Sequence, residues 1–135
     1  MTESFEVEVW IDAKPTRVFP YFVDADKISQ WLSKTAATQL MVGGELKVVA
    51  NNDAVAIGEF LVIDPPNQVS FTWGWVDHPE VPPGSTKVDI SLVEENGGTR
   101  VRLKHSGLPT SDWASRHRTH WAQYLRDLSG NPNFV

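Results

Sequence analysis

Chemistry has few places to reside in this chain. It contains no cysteine and four histidines, which removes disulfide frameworks, Cys-ligated zinc, iron–sulfur clusters and thiol nucleophiles together. Acid–base or metal chemistry therefore rests on the histidines and the carboxylates. His105 is the anomaly, because it falls in phase with Val101 and Leu103, where alternation demands an apolar side chain. A buried imidazole takes a hydrogen-bond partner or loses its proton, so a structural bond and a ligand contact are both open readings. Glu59 falls in phase with Ile57, Leu61 and Ile63; with that face inward it is a buried carboxylate of raised pKa. It would then make an acid–base pair with an inward histidine or balance a buried cation. His117 and His120 stand i, i+3 and could share a metal with His105 or Glu59, but the His-Glu-x-x-His spacing is missing, and neither a metal nor another cofactor is expected. No Gly-x-Ser-x-Gly elbow or phosphate-cradling loop is present, and Gly43-Gly44 and Gly97-Gly98 read as turns.

The other chemical signature is aromatic: six tryptophans in 135 residues. Strand and helix periods predict where they lie. Phe5, Val7, Val9 and Ile11 alternate with polar residues as a half-buried strand, and Trp10 breaks the polar phase outward. Pro15 opens a short helix that Pro20 should kink or shorten, and Asp24 caps a second one carrying Ile28, Trp31 and Leu32. Turns and alternating strands follow from Thr35 to Ser106. Among them, Thr38 to Val49 reads as one run punctuated by glycines, and Phe71, Trp73 and Trp75 share a face. A Pro-rich loop, Asp77 to Gly84, is a candidate lid. After Thr110 or Ser111 as cap, a long helix to about Leu128 carries Trp113, His117, Trp121, Leu125 and Leu128 on one stripe, and the tail from Asn131 should be loosely held. Trp31, Trp73, Trp75, Trp113 and Trp121 thus surround one interior, as a filled core or as the aromatic wall of an apolar pocket.

The net charge of −5 and the lack of clustered Lys and Arg argue against a nucleic-acid partner. Arg100, Arg102 and Lys104 form an outer row that Glu6, Glu8 and Asp89 can balance. No run of 18 apolar residues exists, so no membrane span is expected. The acidic start MTESFEVEVW lacks a basic, then apolar, leader, which points to the cytoplasm. The length suits a single domain, residues 1–135. Trp10 is the kind of outward residue a homodimer contact presents.

Five stretches carry a resemblance: IDAKPTRVFPYFVDADKISQW, MVGGEL, GEFLVIDPPNQVSFTWGW, GGTRVRLKHSGL and HRTHW. In this order they resemble the activator-of-Hsp90-ATPase-homologue-like family, within the START-like (SRPBCC) superfamily of helix-grip proteins that includes polyketide cyclases and Bet v 1-type carriers. The resemblance implies an α+β fold, β-α-α-β6-α, in which a curved antiparallel sheet of about seven strands grips a long C-terminal helix over a cavity. It also implies a His-x-x-Gly-Trp closing motif, which here reads His117-Arg118-Thr119-His120-Trp121. The expected function is binding of a small hydrophobic or aromatic molecule by Trp31, Glu59, Phe71, Trp73, Trp75, His105, Trp113, His117 and Trp121. Alternatives are a cyclase-, hydratase- or isomerase-type enzyme using a His/Glu pair, and a co-chaperone partner of Hsp90; a binding protein is favoured over an enzyme.

Overall fold

The computed structural model describes residues 2–134. β1 (Glu3–Ile11) leads into α1 (Pro15–Val18), a 3-10 turn (Phe19–Phe22) and α2 (Ala25–Ile28). Six strands follow: β2 (Thr35–Thr38), β3 (Glu45–Val49), β4 (Val55–Asp64), β5 (Gln68–Trp73), β6 (Thr86–Glu95) and β7 (Gly98–Leu108). α3 (Ser111–Ser129) ends the order. The strands form one sheet, β1-β7-β6-β5-β4-β3-β2, with every neighbouring pair antiparallel. This is the expected helix-grip arrangement, with one refinement: Thr38 to Val49 is not one strand. β2 ends before the Gly43-Gly44 turn and forms the sheet edge.

Local chemistry sets the element ends. Pro20 supplies no N–H and ends α1, so the chain tightens into the 3-10 turn at Phe19. Asp24 Oδ1 accepts from the N–H groups of Asp26 and Lys27 at 2.9 and 3.4 Å, and Thr110 Oγ1 accepts from Trp113 N–H at 3.2 Å, each satisfying an otherwise orphaned helix donor. Among the described residues no helix is long and apolar enough to cross a membrane.

The sheet buries Ile11, Val48, Phe60, Phe71, Ile90 and Leu103 against the short helices and α3. β4 departs from simple alternation. Phe60 pairs with Phe71 and Val62 with Ser70, which leaves Leu61 as an extra residue in a β-bulge. The bulge reverses the phase of the strand. Before it Ala56 and Phe60 point inward; after it Ile63, opposite buried Val69, packs on the core. Ile57, Glu59, Leu61 and Ile63 therefore do not share a face, and Glu59 is exposed on the outer one.

One surface expectation changes and another gains detail. The tail is tied down: Phe134 is buried with its ring 4.8 Å from that of Tyr21, Asn133 Nδ2 donates to the Tyr21 hydroxyl at 2.9 Å, and Arg17 donates to the Asn133 carbonyl. Trp10 faces outward but is not a free indole. Its Nε1–H donates to the Glu95 carbonyl at 2.8 Å, and its ring lies so close to Gly98 that a Cβ there would stand 2.6 Å from Cζ2. On the same face Arg100 meets Glu95 at 2.7 Å and Arg102 meets Glu8 at 3.2 Å.

Only glycine fits beneath Trp10. Gly98→Ala should lower stability by about 1–3 kcal/mol through overpacking, seen as a lower urea midpoint with an unchanged slope. A midpoint equal to that of the parent would contradict this packing.

Candidate functional site

A cavity of about 350 Å³ opens between α3 and one end of the sheet. α3 contributes Trp113, Arg116, His117, His120, Trp121 and Tyr124; the end of β5 and the residues after it contribute Trp73, Trp75 and His78. The opposite side is built by Leu32 and Ser33 after α2 and by the hairpin from Val48 to Ala54. The volume lies at the lower end of the roughly 300–1,000 Å³ usual for small-molecule sites. Helical spacing brings Trp113, His117 and Trp121 to one stripe, and strand alternation aims Trp73 at it; the Trp73 and Trp121 ring centroids are 5.3 Å apart.

Two neutral imidazoles hold this wall. His105 is 0% exposed. The Thr86 hydroxyl donates to the Trp73 carbonyl at 2.6 Å, so at 2.8 Å its oxygen accepts from His105 Nε2–H. Nδ1 is thereby left as the acceptor for Trp121 Nε1–H at 3.1 Å. Burial, with a smaller contribution from nearby His117, lowers the His105 pKa to about 3. His117 takes the other tautomer: Nδ1–H donates to the Trp113 carbonyl at 2.9 Å, and Nε2 accepts from Trp75 Nε1–H at 3.0 Å. Burial lowers its pKa as well, against the opposing pull of the Trp113 carbonyl. A proton on either acceptor nitrogen would break the hold on a cavity tryptophan.

The Pro-rich loop closes one side. Trp75 N–H donates to the Val81 carbonyl at 2.7 Å, and Gly74 lies so near the Pro82 carbonyl oxygen that a Cβ would come within 1.7 Å of it. From the loop tip, Glu80 Oε2 accepts from Trp113 Nε1–H at 2.8 Å, an exposed bond.

A family model described as activator of Hsp90 ATPase homolog 1-like protein matches residues 12–131. The chain belongs to that family. An AHSA1-like protein from Rhizobium etli is 34% identical, with a TM-score of 0.75 over 96% of this chain and 81% of that one. An HSP90 activator from Plasmodium falciparum is 21% identical, with a TM-score of 0.80 over 98% and 97% of the two chains. The Aha1 dimer from Colwellia psychrerythraea is also 21% identical, with a TM-score of 0.82 over 94% of each chain. The last two are likenesses of fold. No curated protein matches the chain.

In this member of the Hsp90-activator-like family, five of the nine residues expected at the site line the cavity: Trp73, Trp75, Trp113, His117 and Trp121. Four do not. Trp31 and Phe71 border a separate gap of about 10 Å³, about the volume a single water needs. Trp31 is fixed in the core by its bond to the Tyr21 carbonyl at 2.9 Å. His105 stands behind Trp121 with both nitrogens used, and Glu59, between the buried Gly58 and Phe60 of β4, faces away. The His/Glu acid–base pair is therefore not assembled, and neither buried imidazole has a free nitrogen. Among the described residues no three metal-ligating side chains converge. Of the polar and aromatic lining residues, sequence reasoning missed Ser33, Asn51, Asn52, His78, Arg116 and Tyr124, besides His120. Arg116 and Tyr124 flank the apolar stripe of α3, where the helical period could have found them; Ser33 lies after a four-residue helix and carries no periodic signal. His120, in the family's glycine position, is exposed at the cavity rim, 6.3 Å from the Tyr124 ring.

The lowered histidines fix the sign of a pH effect. Folded His105 stays neutral down to about pH 3, whereas the unfolded imidazole binds a proton below 6.5. Stability is thus full above pH 6.5 and falls as the pH drops toward 3, by about 1.4 kcal/mol per pH unit from this group. His117 acts with the same sign. Urea unfolding should show a loss of about 2 kcal/mol or more between pH 6.5 and 5. His105→Gln should be less stable at neutral pH yet flatter across that window; an unchanged slope would remove His105 as its source.

Proposed function

We propose that the protein binds a small, largely apolar aromatic molecule in the cavity beneath α3. The observation that carries this reading is the wall of Trp73, Trp75, Trp113 and Trp121 around about 350 Å³, held by hydrogen bonds to two imidazoles. A core that merely needed filling would close over these rings, as it does around Trp31 and Phe71. Four indoles offer large, stiff contact area at little conformational cost, and aromatic pairs add directional attraction. With both imidazoles occupied by structural bonds, binding is favoured over acid–base catalysis.

Titration with a fused-ring probe, 2-naphthamide, followed by calorimetry should give saturable binding with one site per chain. Trp75→Ala and Trp113→Ala should each weaken it by about tenfold, the loss expected for one buried aromatic contact. Ala54→Phe, which places a ring in the cavity from the hairpin opposite α3, should abolish it. Binding that survives Ala54→Phe unchanged would place the probe elsewhere and defeat the reading. Native mass spectra of the same samples report any co-purified molecule and whether two copies associate, as in the Colwellia neighbour.

A further inference from the structure

The cavity is charged in the opposite sense to the protein. The chain carries −5, yet among the described residues no Asp or Glu lines the cavity, and Arg116 is its one permanently charged side chain. The guanidinium lies over the Trp113 ring, 4.3 Å from its centroid. Its carboxylate partner, Asp112, is 3.1 Å away and one turn back on α3, with the two side chains 77% and 54% exposed for Asp112 and Arg116. So wet a pair is weak, and Asp112 is not part of the lining.

The uncharged polar groups are mixed and add no negative charge. Trp73 Nε1 and Ser33 Oγ are buried with no partner within the protein, and both residues line the cavity. Asn52 commits its carbonyl oxygen to Ala54 N–H at 3.1 Å, which leaves its amide hydrogens as donors. Trp75 and His117 satisfy each other. The remaining lining residues Asn51, His78, His120 and Tyr124 can both donate and accept, so it is the charge at Arg116 that a hydrocarbon would leave unmet and an oxygen-bearing anion would complement.

We propose that the ligand is an aromatic acid, with its rings among Trp75, Trp113 and Trp121 and its anionic group at Arg116. This rests on the cavity-binding reading above. Size agrees: an apolar cavity of about 150 Å³ accepts benzene, so about 350 Å³ takes two fused rings and a carboxylate. A guanidinium already stacked on an indole is also oriented to receive a carboxylate as a fork.

The test compares 2-naphthoate with 2-naphthamide, which share shape and differ in charge, by calorimetry at pH 7.5. Naphthoate should bind about five- to tenfold more tightly at low ionic strength, as for a charge-assisted hydrogen bond, and the margin should shrink near 0.5 M salt. Arg116→Gln, an exposed helix position where glutamine is well tolerated, should bring the two probes to equal affinity. If the amide binds as tightly as the acid, or the margin survives Arg116→Gln, the acid proposal is overturned while cavity binding stands. If neither probe binds, the cavity-binding reading itself fails.

Discussion

The hydrogen-bonded chain from Trp121 through His105 and Thr86 to the Trp73 carbonyl is the constraint on which the site depends. Each member has one role it can fill: the indole only donates, the threonine hydroxyl is committed to a carbonyl, and the imidazole must then be neutral with its proton on Nε2. The chain ties α3 to β7, β6 and β5 in the middle of the core. A buried imidazole would otherwise be a liability, because leaving one of its nitrogens unpaired costs about 1–3 kcal/mol. Here it becomes a rivet that fixes how closely the helix approaches the sheet.

That approach decides which part of the interior is solid and which is hollow. Toward the C-terminal end of α3, Leu125 and Leu128 are fully buried and the helix lies on the sheet. Toward its N-terminal end the spacing is held by large rings, and the second imidazole, His117, braces Trp75 at 3.0 Å so that it cannot fold into the space beside it. The cavity thus follows from two polar bonds between aromatic groups that hydrophobic contact alone would collapse together. Arg116, with no Asp or Glu in the lining among the described residues, gives this hollow a polarity that the net charge of the chain conceals.

Much of this was legible in the sequence, for reasons that identify the rest. Alternation through Val69, Phe71 and Trp73, and the stripe from Trp113 to Leu128, are period signals long enough to survive local irregularity, and they placed five of the cavity residues. Glu59 was misplaced because Ile63 appeared to share its face and mark it as inward, whereas the bulge at Leu61 brings Ile63 inward and leaves Glu59 on the outer side, and a bulge leaves no mark on composition. Trp31 and Phe71 are inward as expected, but inward does not separate core from cavity; that depends on how near the facing element lies. His105 announced itself as an exception, whereas its partner Thr86 looked like an ordinary strand residue. Arg116 and Ser33 gained significance only from what stands opposite them.

The bond from Trp113 to Glu80 differs from the others that bound the cavity, because it is exposed to water. The deeper walls are riveted within the core, while at this side the tip of a proline-stiffened loop is joined to α3 through that bond, outside the cavity lining. Water can replace that carboxylate on the indole at little net expense, so the helix and the loop can part there without disturbing a buried group. For the ligand proposed above, this seam would serve as the door, with exchange governed at Glu80 and Trp113 and the strength of holding at the imidazoles and Arg116, so the residence time of a guest and its selection would fall to different residues.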